Sequence, residues 1–249
     1  ALVKLLWDAE RAVDLDVASY LNWARSLSPD DTIISLNYDR LVERVVRHAC
    51  GTEVDLGFHP DDLRRGVMLL KLHGSISWRS CTADAYERKF KKHCKLLCNI
   101  AGHLNAGDGP ANPCFMPGLA EMQTVLCEEL NQEFSPDLIG LDDLGAVPLG
   151  FVKKPSLVPG LGAIWRRAGM ALQNATEVVV IGCSFAPSDV LLTRFLRNVV
   201  QKRRETQWKP WKVAFIDPTC TLQPRLQDLF AEHVTHAGTD FVHIDWSTR

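Results

Sequence analysis

No Cys-x-x-Cys pair occurs anywhere in the chain, although it carries eight cysteines. The two close pairs that usually mark a structural zinc site are therefore missing. Nor is there an excess of charge of one sign: 28 basic against 30 acidic residues leave a net charge of −2. That removes the electrostatic case for nucleic acid as a bulk partner. The Lys-Arg-Arg cluster at 202–204, with Arg197 nearby, reads as the solvated end of a helix. No apolar run approaches the roughly 20 residues that span a bilayer. The N-terminal stretch is no signal peptide, because Asp8 and Glu10 interrupt it early; it reads as an amphipathic helix. No internal repeat or low-complexity tract is present. Without an export signal the cysteines are expected to be reduced thiols in a cytoplasmic protein, not a disulfide framework. Thiol titration of the denatured, unreduced protein is expected to find most of them free.

What is present suits a globular domain. Hydrophobic residues make up 46% and charged residues 23% of 249 positions. A chain of this length buries a full core without staples. Apolar positions recur at helical spacing over residues 1–27, and Ser-Pro-Asp-Asp at 28–31 breaks that pattern. Strands are expected at 32–36 and 67–72, a shorter one at 53–58, and a helix near 39–49 ending at Gly51. Residues 79–150 differ: a basic helical stretch at 86–95, a turn-rich loop at 105–114, a helix near 118–133, then a Pro/Gly/Asp-rich segment. They read as a helical insertion, not as sheet. Alternation then resumes with helix 160–174, strand 177–182, helix 188–201, strand 212–216, helix 222–231 and a strand-like run at 241–246. Short apolar strands alternating with helices argue an α/β fold, a Rossmann-like parallel sheet with helices on both faces. Residues 1–78 and 151–249 would form it, with 79–150 inserted.

Three strands end in polar turns. Thr-Ile-Ile-Ser-Leu-Asn-Tyr-Asp-Arg (32–40) leads into a helix, Leu-Lys-Leu-His-Gly-Ser (70–75) delivers His73 into a Gly-Ser turn, and Val-Val-Val-Ile-Gly-Cys-Ser (178–184) is followed by Pro-x-Asp. Open α/β sheets place ligands beyond the carboxyl ends of their strands, so one crevice lined by three loops is expected. These blocks, in this order, resemble the divergent, mostly bacterial branch of the sirtuin superfamily, which includes NAD-hydrolysing antiphage defence proteins. The resemblance runs from about residue 30 to about residue 220.

The resemblance implies NAD as substrate or ligand. His73 would be the base that activates a ribose hydroxyl, a task that imidazole suits because it titrates near working pH. Asn37 would sit against the nicotinamide ribose and position water or stabilise charge there. Asp39 would support the pocket, and Gly74, Ser75, Gly182 and Ser184 would contact the dinucleotide. Asp217, closing strand 212–216, would hold hydroxyls of the adenosine end. Each has a plainer reading: His73 as a histidine bonded to its own turn, Asn37 and Asp39 as a turn and helix cap, Asp189 as a helix-start residue. The family more often has Thr or Tyr where Cys183 stands.

Cys81, Cys94, Cys98 and Cys114 lie where sirtuins carry a zinc module, but their spacing is C-x12-C-x3-C-x15-C. They are the only zinc candidates, with His93 and His103 as substitutes; buried thiols are the alternative. Residues 1–30 hold no Gly-Ala-Gly-type pyrophosphate loop, and no Phe-Gly-Glu follows the cysteines. The chain is therefore expected to begin after the first βα unit of the family, and by itself to bind NAD poorly and to hydrolyse it slowly or not at all. Loss of the acyl-lysine groove features favours NAD hydrolysis to nicotinamide and ADP-ribose. A non-catalytic NAD or ADP-ribose sensor and an NAD-dependent protein deacylase stay open. So do a homo-oligomer and a fused effector domain.

Overall fold

A computed structural model of the chain describes residues 2–52, 54–57, 66–80, 124–126, 144–146, 161–183, 185–186, 189–206, 211–218, 220–230, 234–238, 241, 244 and 246. The apolar pattern over residues 1–27 forms two helices, α1 (Leu2–Arg11) and α2 (Ala18–Ser26). Asp14 accounts for the break: its Oδ1 accepts the N–H of Asp16 at 3.0 Å. Such a local bond offers the backbone an alternative to helix. Ser28 and Asp31 then close a turn by exchanging bonds, Ser28 N–H to Asp31 Oδ2 at 2.7 Å and Asp31 N–H to Ser28 O at 2.9 Å.

Strand β1 (Thr32–Ser35) follows and pairs in parallel with β2 (Met68–Lys71), Ser35 opposite Lys71. Helix α3 (Leu41–Cys50) connects them and packs on α2 through Ala24, Val45 and Val46. Gly51, at φ +66°, closes its end in the left-handed conformation that favours glycine. Of the expected strand at 53–58, the described residues 54–57 show one parallel bridge, Asp55 to Met68.

After β2 the chain departs from the expected turn. Leu72 and His73 make the turn, and Gly74 opens β3 (Gly74–Ser80). β3 lies between β4 (Thr124–Leu126) and β5 (Leu144–Ala146) in an antiparallel sheet. The stretch read as helical, not as sheet, thus supplies two strands, and β4 replaces part of the helix expected near 118–133. The expected basic helix at 86–95 lies outside the described residues.

The remaining elements are α4 (Leu161–Asn174), β6 (Glu177–Ile181), α5 (Val190–Thr206), β7 (Lys212–Ile216), α6 (Gln223–Phe230) and β8 (Val234–Gly238). β6, β7 and β8 form a second parallel ladder. The last strand among the described residues is 234–238; of the run expected at 241–246 only Phe241, Ile244 and Trp246 are described, and Phe241 and Trp246 meet ring to ring at 5.1 Å. The described residues are thus helices and short parallel strands in two small ladders, an α/β arrangement with one antiparallel sheet beside it.

One core joins the two ladders. Leu69, Leu70 and Leu72 on the β2 side pack with Leu161, Ile164 and Ala168 of α4, and these with Leu192, Leu196 and Phe215. Trp165 fixes the crossing: its Nε1–H donates to Leu72 O at 2.7 Å, and its ring meets Phe195 edge-on at 5.0 Å. Among the described residues no helix is long and apolar enough to cross a membrane.

Candidate functional site

Lys71 ends β2, His73 lies in the turn that follows, and Ser75 stands near the start of β3. All three are buried, and each donates to a different carbonyl of the loop between β1 and α3. Lys71 Nζ bonds Asp39 O, His73 Nδ1 bonds Leu36 O at 2.8 Å, and Ser75 Oγ–H bonds Tyr38 O at 3.2 Å. The Lys-x-His-x-Ser pattern therefore stitches the Asn-Tyr-Asp loop to β2.

The bond to Leu36 assigns the tautomer of His73. A carbonyl only accepts, so Nδ1 carries the hydrogen and Nε2 is left as the second functional nitrogen. Nε2 lies 3.7 Å from Asp189 Oδ2, with both side chains largely buried. The Tyr38 ring stacks on the imidazole, centroids 5.9 Å apart and planes 29° from parallel. The ends of β1 and β2 and the β6–α5 loop thus meet at His73.

Two buried ion pairs brace the same loop. Lys71 Nζ reaches Glu43 Oε1 of α3 at 2.8 Å, each side chain 1% exposed, while Glu43 Oε2 has no hydrogen-bond partner among the described residues. Glu10 of α1 accepts from the backbone N–H of Arg40 and from its Nε, both at 2.8 Å, and also binds its Nη2.

Asp39 caps locally, its Oδ1 accepting the N–H of Leu41 at 2.9 Å. Asn37 is exposed, and its backbone N–H is held by Ser35 Oγ at 3.1 Å. Gly74, at φ +78°, needs the conformation only glycine adopts freely. Gly182 is exposed at φ +58°, with nothing within 4 Å of where a Cβ would stand, and its N–H donates to Ile216 O at 3.2 Å. Asp217, half-buried beyond β7, donates its N–H to Gly238 O and accepts from His236 Nε2 at 3.1 Å. Gly182 and Asp217 are neighbours through the β6–β7 pairing, and Asp189 connects that side to His73. Ser184, Cys81, Cys94, Cys98 and Cys114 lie outside the described residues.

Sequence reasoning missed Lys71, Tyr38, Glu43, Glu10 and Arg40. The Lys-x-His-x-Ser alternation was a usable signal for Lys71. Nothing in the sequence paired Glu10 with Arg40 thirty residues on.

Tyr38 carries the resolved electrostatic effect. Burial, and then the Asp189 carboxylate, raise its phenol above the 10.0 of a free tyrosine. Its neutral form is favoured by folding, so its contribution is fully present below the ordinary tyrosine range and is lost as pH rises through the raised value. Ultraviolet difference titration of the three tyrosines is expected to show a late component that Tyr38→Phe removes. An unchanged curve in that variant would contradict the assignment.

No known protein family matches the chain, and no curated protein does.

Proposed function

We propose that this chain is a sirtuin-like, NAD-cleaving domain that converts NAD and water to nicotinamide, ADP-ribose and a proton. The reading takes the fold as Rossmann-like, with residues 79–150 inserted, and places the activity in antiphage defence. The observation that carries it is His73. Its Nδ1 is committed to Leu36 O, so Nε2 is the nitrogen that accepts a proton, where three strand-end loops meet. Asn37, exposed on the same loop, is the residue assigned to the ribose or to water. Gly182 is assigned to the phosphate cradle because no side chain projects there and a ligand could approach the backbone closely, its own N–H being held by Ile216 O.

One observation favours a second reading, a non-catalytic module that binds NAD or ADP-ribose. His73 is only 3% exposed and helps to hold a loop. The test is nicotinamide release at millimolar NAD, with calorimetry against ADP-ribose. His73→Gln keeps an N–H donor for Leu36 while removing the proton-accepting nitrogen. Release is expected from the parent protein, and to fall by about 100-fold or more in His73→Gln. Binding without release selects the second reading; neither binding nor release refutes both.

A further inference from the structure

Asp189 is the N-terminal cap of α5: its Oδ1 accepts the N–H of Leu192 at 3.2 Å, and its backbone O accepts that of Thr193 at 3.1 Å. Its own N–H is held by Ala186 O at 2.8 Å. These bonds fix the carboxylate and aim Oδ2 at His73 Nε2. At 3.7 Å the contact is an ion-pair distance and too long for a hydrogen bond. A helix cap needs only one carboxylate oxygen, and Ser or Asn would serve as well as Asp. The second oxygen is largely buried and stands at ion-pair distance from an imidazole nitrogen, a placement that capping does not require.

We propose that Asp189 is a positioning residue for His73, whose capped carboxylate sets the basicity of Nε2 and stabilises the imidazolium formed when that nitrogen takes a proton. This rests on the reading of His73 as the base. In the balanced reaction the C–N bond to nicotinamide breaks, water oxygen bonds the sugar carbon, and the released proton passes to Nε2. The imidazolium then carries +1 beside the −1 of Asp189. A carboxylate within about 4 Å favours the charged imidazole, against the desolvation that disfavours it. Tyr38 stacks from the β1–α3 loop and is neutral at working pH, its phenol raised by burial and by Asp189. Lys71 and Glu43 lie two residues back along β2 and on α3, and they compensate one another. Of these groups, the Asp189 carboxylate is the one that stands at ion-pair distance from the ring nitrogen.

Proton NMR titration of His73, assigned by the resonance missing in His73→Gln, tests this in the parent protein, Asp189→Asn and Asp189→Ser. Both substitutions retain a cap, so both proteins are expected to unfold near the parent temperature. The His73 midpoint is expected to fall by about one pH unit in each. The acid limb of nicotinamide release should move down by the same amount. An unchanged midpoint, or a His73 resonance that titrates in none of the proteins, reduces Asp189 to a helix cap and overturns the proposal. A midpoint that moves in a protein releasing no nicotinamide leaves the Asp189–His73 coupling standing and removes only the base reading.

Discussion

Lys71→Met is expected to destabilise the protein by about 3–5 kcal/mol, because it leaves the Glu43 carboxylate buried without its counter-charge. The change also removes the donor to Asp39 O, and with it one of three tethers on the Asn-Tyr-Asp loop. Two effects are thus mixed, and a second variant separates them. Lys71→Met combined with Glu43→Leu deletes both charges and keeps an apolar filling of similar size. Buried pairs replaced in this way are often no worse than neutral. Glu43 Oε2 already has no hydrogen-bond partner among the described residues, so the pair is incompletely satisfied as it stands. The double variant is therefore expected to regain most of the loss in a denaturant titration. Amide exchange at residues 37–39 should nevertheless stay faster than in the parent, because the carbonyl tether remains absent. A double variant as unstable as the single one would show that the tether, not the charge, carries the energy.

The second large effect is expected from glycine. Gly57 is buried at φ +71°, and a Cβ there would stand 2.5 Å from Leu70 Cδ2. Leu70 is a flexible side chain in principle, but it is fully buried in the core shared with Leu161, Ile164 and Ala168 of α4, so a shift would disturb that packing. Gly57→Ala combines left-handed backbone with overpacking, for a loss of about 2–4 kcal/mol. Gly182→Ala is the control. Its φ of +58° carries the same backbone strain, but nothing lies within 4 Å of the added methyl. Its cost should be about 1–2 kcal/mol. If Gly182 lies against a phosphate, ADP-ribose affinity of the folded variant should also fall, by about tenfold or more. Equal affinity in Gly182→Ala and the parent would remove Gly182 from the proposed cradle.

Local pattern was a good guide wherever one segment decides its own state. The apolar run at 212–216 is β7 to the residue, and Gly51 ends α3 as its flexibility suggests. Pattern failed where a distant partner decides. Gly74 and Ser75 have turn chemistry, yet β3 starts there because β4 and β5, some fifty and seventy residues further on, pair with it. Residues 234–238 do not read as a strand, yet Val234 and His236 pair with β7. At the candidate site, His73 was legible from its strand-end position and Asp189 as a helix start. Their proximity was not, since it depends on how the two parallel ladders meet. Lys71 reads as a polar residue at a strand end, where solvent exposure is the usual outcome. Only the folded chain shows Glu43 beside it.

The bond from Trp165 to Leu72 spans 93 residues, and that from Arg167 to Gly57 spans 110. Closing such long loops adds little to the thermodynamic cost, which grows only with the logarithm of length. The consequence is in timing. A ribosome adding about 5–20 residues per second leaves β2 waiting roughly 5 to 20 s before Trp165 is made. Through that interval Leu69, Leu70 and Leu72, all 0% exposed in the finished protein, lack the helix that covers them. Nascent chains of this protein should therefore bind chaperones most strongly when stalled between β3 and α4. Moving α4 closer to β2 in sequence should speed folding far more than it raises stability.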